Sequence, residues 1–133
     1  MSVREREGGR VARFVVVGCT AAAVHWSVVR LAVGATGMAP LLANLLGWMV
    51  AFGVSFAGHH RWTFRDVPGR SAGHSLPRFL LVSLAGFAVN EAAYALALAW
   101  GGWRYDLTLA GVLVLVAVGT FVAGRLWAFR APG

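Results

Sequence analysis

Four long apolar runs, separated by short polar segments, organise the chain. They cover residues 14–33, 41–58, 79–100 and 107–124, and hold 20, 18, 22 and 18 residues with few charges among them. About 20 apolar residues rising roughly 1.5 Å each cross a hydrocarbon layer of about 30 Å. No water is present there to satisfy the backbone, so each run is predicted to be a helix. The pattern predicts an all-α membrane protein with four transmembrane helices in a single domain over residues 1–133. Segments 34–40 and 101–106 read as tight turns with Gly and Pro as breakers, and 59–78 as the one longer loop, punctuated by Pro68, Gly69 and Pro77.

Composition supports the same class. Of 133 residues, 59% are hydrophobic and 13% charged, with a mean hydropathy of +0.69. A soluble domain needs about a quarter of its residues charged to face water, and disorder needs low hydrophobicity, so both are excluded. The single cysteine, Cys19, excludes an internal disulfide, and no clustered ligand set suggests a metal. Cys19 also ends a loose lipoprotein-like box, but only five residues separate it from Arg13 and the apolar run continues past it. An uncleaved first span is expected. His59, His60 and His74 lie in or near the loop. Adjacent histidines on a helix point about 100° apart, which does not make a metal site. No nucleotide-binding glycine loop and no nucleophile–base arrangement is visible, so no cofactor, no ATP-driven pumping and no enzymatic activity are expected.

Charge sets the orientation. All 12 basic residues are arginine, against 5 acids. Arg4, Arg6, Arg10 and Arg13 lie in the N-terminal tail, Arg61, Arg65, Arg70 and Arg78 at the middle loop, and Arg125 and Arg130 at the C-terminus. Only Arg30 and Arg104 fall toward the other side. Arginines placed between apolar runs, not along one helix face, fit membrane anchoring and not a nucleic-acid partner. The positive-inside rule then places both termini in the cytoplasm.

The chain also repeats itself. Residues 11–65 slide onto 76–130 at a constant offset of 65 with 13 identities in 55 positions. Arg13-Phe14 meets Arg78-Phe79, and Trp62, Phe64 and Arg65 meet Trp127, Phe129 and Arg130. Each unit holds two spans, so both hairpins enter from the same side as a parallel repeat, and substrate sites tend to lie at such repeat interfaces.

Two groups of residues could carry chemistry. His25 lies in the middle of span one. Asn90, its repeat equivalent, and Glu91 lie in the middle of span three, and Asn44 lies near the outer end of span two. An ionised acid at the bilayer centre costs about 2.5–3.5 kcal/mol on insertion scales, so such a group is paired, protonated or turned inward. These residues form either a midplane polar site or hydrogen-bonding glue between helices. The second group is basic and aromatic: Arg13, Arg61, Trp62, Arg65, Arg78, Arg125, Trp127 and Arg130. Guanidinium groups fit phosphate oxygens bidentately, and Trp and Phe sit well at headgroup depth. The alternative is plain topology anchoring plus an aromatic belt. Small residues at Gly47, Gly53 and Gly58, and at Ala85 and Gly86, allow close helix approach.

Arg13-Phe14 with Gly18, Ala43-Asn44, Ser55-Phe56 leading to Arg61-Trp62-Thr63-Phe64, Arg78-Phe79, and Phe121 with Trp127-Ala128-Phe129 together resemble the GtrA-like membrane proteins over nearly the whole chain. The chain departs from that pattern at His25, where the family often has an acid, and at His59-His60, where it often has Asn-Arg. The resemblance implies a protein of the bacterial inner (plasma) membrane in cell-envelope polysaccharide assembly. It would translocate a polyprenyl-phosphate-linked sugar from the cytoplasmic to the outer leaflet. It also implies an alternative, a non-transporting anchor that recruits a glycosyltransferase. A small proton-coupled exporter using Glu91 is a further reading. Four short helices enclose little volume, so the expected partners are membrane lipids, the lipid-linked sugar, and a second copy or a glycosyltransferase.

Overall fold

The computed structural model describes residues 2–66, 69 and 71–128, with the backbone alone described at 74 and 120–128. Four α-helices follow one another: α1 (Val3–Thr36), α2 (Pro40–Gly58), α3 (Ala72–Gly101) and α4 (Tyr105–Ala128). A π-helical turn, His59–Thr63, continues α2. No strand occurs among the described residues.

The helices begin and end on local chemistry, and they run past the apolar segments. Ser2 opens α1 with a capping box. Its side-chain oxygen accepts from the Glu5 backbone at 3.3 Å, and the Glu5 carboxylate accepts from the Ser2 N–H at 2.6 Å. The residues expected to be an N-terminal tail are therefore helical. At 34 residues α1 is about 51 Å long, against roughly 30 Å of hydrocarbon, so its exposed first turns with Arg4, Arg6 and Arg10 project well beyond the apolar stretch. Gly37 ends it at φ 69°, a left-handed position that glycine adopts without a Cβ penalty, and donates to the Val33 carbonyl at 2.9 Å. Pro40 opens α2, where its missing N–H costs nothing.

The expected loop over 59–78 is much shorter. Helical structure persists to Thr63 and resumes at Ala72, and Pro77 falls within the second turn of α3. Its missing N–H forgoes one intrahelical bond, to the Gly73 carbonyl, near the start of the helix.

Three helices are long and apolar enough to cross a membrane: α1, the continuous Pro40–Thr63, and the Ser75–Gly101 part of α3. In α4 the described apolar segment is the shorter Tyr105–Gly119. Large apolar side chains face outward along them, among them Leu81, Val82, Val89 and Leu115, each at least 60% exposed. In water that surface would aggregate; against lipid tails it is matched to its solvent. The molecule is a multi-pass membrane protein.

The packed core sits at the end of the bundle holding the two short turns. There Val29, Ala43, Tyr94, Leu109 and Val112 close on one another. Side-chain bonds tie the start of α4 to its neighbours. Trp26 Nε1 donates to the Asp106 carbonyl at 2.9 Å, the Tyr94 hydroxyl to the Tyr105 carbonyl at 3.0 Å, and the Tyr105 hydroxyl to the Arg30 carbonyl at 3.3 Å. Glycines set the closeness of α1 and α2. A Cβ at Gly47 would stand 2.7 Å from the His25 ring and 2.9 Å from its carbonyl, and one at Gly58 would stand 2.8 Å from Val17. Among the described residues nothing lies within 4 Å of a Cβ at Gly53 or Gly86, so neither makes there the close approach expected of it.

Candidate functional site

About one turn in from the packed core, one buried amide gathers the polar residues of three helices. Asn44 on α2 accepts through Oδ1 at 2.7 Å from His25 Nε2 on α1. Its Nδ2 faces α3, donating to Asn90 Oδ1 at 2.8 Å and to Glu91 Oε2. The amide has two N–H groups, and both are spent on α3. Its oxygen can only accept, so the His25 ring is the donor and carries its proton on Nε2. His25, Asn44 and Asn90 are buried and Glu91 is partly buried. Gly47, one turn after Asn44, lets the two backbones come close enough for the His25 bond. All four residues of the expected midplane site thus meet, with Asn44 as the hub, a place its sequence position near one end of span two did not suggest.

A pocket of about 510 Å³ opens at the other end of the bundle from the core, between α1, α2, the π-helical turn and α3. Phe14, Phe56, Phe64 and Phe79 make its apolar walls, and His60, Ser71, Ser75 and Arg78 its polar groups. The π-turn shapes it. By closing on five residues (Phe64 N–H to the His59 carbonyl, 3.0 Å), it turns His59 inward, where its ring stacks on Phe14 at 4.6 Å and lies 5.9 Å from Phe79. His59 also bonds Thr63 at 3.0 Å, whereas His60 stacks on Phe56 at 5.6 Å, and its Nδ1 is buried with no hydrogen-bond partner among the described residues. Single-turn π-helices recur at functional sites.

The basic residues read from the sequence divide. Arg78 lines the pocket, and among the described residues no carboxylate pairs with it. Arg13 stands at the same end but is held by Asp66 at 3.0 Å, and Arg65 approaches the same carboxylate at 3.6 Å. Arg61 and Trp62 are exposed on the π-turn and do not line the pocket. Arg125 and Trp127 lie on the last turns of α4, where the backbone alone is described, and Arg130 lies outside the described residues. Among the described residues no group of three His, Cys, Asp or Glu gathers.

At the opposite end Arg104 grips Asp106 through two bonds, Nη2 to Oδ2 at 2.8 Å and Nε to Oδ1 at 3.2 Å. Asp106 precedes the apolar run 107–124. The Arg104 hydrogen bonds, aided by the Leu107 N–H, hold its carboxyl below the usual carboxylate range.

Sequence reasoning passed over the residues between cluster and pocket: Trp48, Phe52, Ser83 and Phe87. Trp48 Nε1 donates to Ser83 Oγ at 2.9 Å, and its ring stacks on Phe87 at 5.0 Å. The signal was present as spacing. Asn44, Trp48, Phe52, Phe56 and His60 recur every four residues, the step that sets each side chain beside the next along a helix.

The model of one family, the GtrA/DPMS transmembrane domain, matches residues 13–129. No curated protein and no solved structure matches the chain.

Proposed function

The chain belongs to the GtrA/DPMS transmembrane-domain family, and from that premise we propose that it translocates a polyprenyl-phosphate-linked sugar between membrane leaflets. In this reading α4 is a fourth span and the two hairpins form a parallel repeat. Both termini and the pocket face the cytoplasm of a bacterial plasma membrane. The protein then moves its substrate without chemical change, as a homodimer or beside the glycosyltransferase that makes or uses the substrate.

The physical problem is confined to the head. The prenyl chain stays in lipid throughout, so only a sugar and a phosphate need a polar path across about 30 Å. Arg78 offers a planar, permanently charged fork to the phosphate, and the phenylalanine walls offer apolar faces to the sugar. The arginines left exposed at that end, Arg61 and Arg65, raise the local concentration of anionic heads.

The observation that carries the reading is the His25–Asn44–Asn90–Glu91 cluster. Four polar side chains from three helices meet at membrane depth, where insertion is costly and such groups mark substrate or proton pathways. An anchor that docks an enzyme through its loop and tails would need them only as hydrogen bonds between helices, not for a titratable group at Glu91.

The test is reconstitution in liposomes with a polyprenyl-phosphate-linked sugar, reading the accessibility of the sugar on each leaflet. Glu91→Gln keeps shape and hydrogen bonding but removes the titratable group. Translocation predicts slowed transfer at normal protein levels. Full complementation of a deletion strain by both Glu91→Gln and Glu91→Ala would make the anchor the better account. Reporter fusions at residue 70 and at the C-terminus should both read cytoplasmic.

A further inference from the structure

Two stripes of side chains face each other along the α2–α3 seam. On α2 they are Asn44, Trp48, Phe52, Phe56 and His60; on α3, in the opposite direction, Glu91, Phe87, Ser83, Phe79 and Ser75. Both step by four residues. The contacts run in register: Asn44 to Glu91, Trp48 to Phe87 and Ser83, then Phe52 and Phe56 to Phe79, with ring centroids 5.5 and 5.6 Å apart. The column starts at the pocket, which Phe56, His60, Ser75 and Phe79 line, and ends at the buried polar cluster. From Phe56 to Asn44 is twelve residues, or about 18 Å along the helix.

This seam differs from its neighbour. The α1–α2 contact is closed at Gly47 and Gly58, where an added Cβ collides with α1. Along α2–α3 the members between cluster and pocket are only half buried, and they hold each other by one stacked pair, Trp48–Phe87, by the tilted rings of Phe52 and Phe56 on Phe79, and by one hydroxyl–indole bond. Ring stacks slide and part at lower cost than interlocked backbone, because each pair is worth only about 0.5–1.5 kcal/mol beyond its buried area. The chemistry also suits one ligand class. A hexopyranose presents apolar C–H faces and a rim of hydroxyls. The seam presents flat aromatic faces interleaved with Ser75, Ser83, the Trp48 indole N–H and, at its far end, Asn44 and Glu91.

We propose that the α2–α3 seam is the track along which the hexopyranose head passes between the pocket and the buried polar cluster, and that the Trp48–Ser83 contact is the gate that parts to admit it. The proposal rests on the translocator reading and adds to it the route, the ligand face and the gate. Trp48 becomes a sugar-stacking residue and Ser83 its latch.

The experiment uses full-length protein in liposomes with polyprenyl-phosphate-linked glucose, mannose and galactose as probes. In a Cys19→Ser background, Phe52→Cys with Phe79→Cys is joined by a short reducible thiol cross-linker across the seam. Arg30→Cys with Tyr105→Cys is joined likewise across α1–α4 as the control. The expected result is at least a tenfold loss of initial transfer rate in the seam-linked protein, restored by reductant, with the control-linked protein within twofold of its unlinked form. Trp48→Phe, which keeps a ring, should stay within about threefold of wild type, and Trp48→Ala should lose at least tenfold at equal protein levels in the liposomes. Undiminished transfer in the seam-linked protein, equal loss in both linked proteins, or wild-type transfer by Trp48→Ala overturns the seam and leaves the translocator reading standing. Failure of the wild-type protein to move any of the three probes overturns the translocator reading and the seam with it.

Discussion

Replacing Asn44 by leucine tests whether the buried cluster is one network. The side chains are of similar size, so the change removes chemistry more than volume. Three hydrogen bonds disappear, to His25, Asn90 and Glu91. Interhelical hydrogen bonds in membranes average about 0.6 kcal/mol each, which sets a floor of about 2 kcal/mol for the three. The residual partners raise it. A buried donor or acceptor stripped of its partner costs about 1–3 kcal/mol, and His25 and Asn90 are 6% and 4% exposed, so water does not reach them readily. Glu91, partly buried, faces lipid and not water where it is exposed, so it finds no replacement partner there. The expected destabilisation is therefore about 3–5 kcal/mol, read as the free energy of reversible unfolding in mixed detergent micelles. Glu91→Leu and the double variant complete a cycle. If Asn44 is the hub, the double variant should cost at least about 0.6 kcal/mol less than the sum of the singles. A loss below about 0.5 kcal/mol for Asn44→Leu together with additivity would refute the hub.

Gly47→Ala should cost at least about 1–3 kcal/mol in the same assay, because its Cβ meets the His25 carbonyl and the Val29 side chain at 2.9 Å. Gly53→Ala, with open space around its Cβ, should be neutral or stabilising by up to about 1 kcal/mol through helix propensity. Asp106 supplies an acid limb. Its carboxyl is lowered in the folded protein, so its contribution is complete above about pH 4 and is lost as pH falls through the lower folded value; Asp106→Asn should flatten that part of a stability-against-pH curve. Arg78→Lys keeps the charge but loses the fork, and should weaken binding of the lipid-linked sugar at least severalfold without affecting insertion. Arg61→Lys, outside the pocket, should bind as wild type in detergent; equal behaviour of the two variants would remove Arg78 from phosphate binding.

Membrane depth was legible for residues central in their apolar runs but not for Asn44, and azimuth was not legible at all. Each helical residue rises about 1.5 Å whatever its surroundings, so His25 and Asn90, central in their apolar runs, were placed at one level from their positions alone. The class followed as directly, since runs of 18–22 apolar residues have few other stable solutions. Caps were readable in principle at Ser2-x-x-Glu5 and Gly37, but hydropathy counts only the part of a helix that lipid surrounds. The helical Arg4–Arg10 region and the first two turns of α3 were therefore assigned to tail and loop. How each helix turns about its own axis, and which neighbour it meets, depends on tertiary packing. That choice made Asn44 the hub, put Gly47 and Gly58 at the contact while leaving Gly53 outside it, and separated Arg78, which lines the pocket, from Arg13, which Asp66 holds. In lipid nearly every outward face is apolar, so amphipathic pattern cannot tell an inward side from an outward one. Only the fit of small residues and the meeting of polar groups decides it.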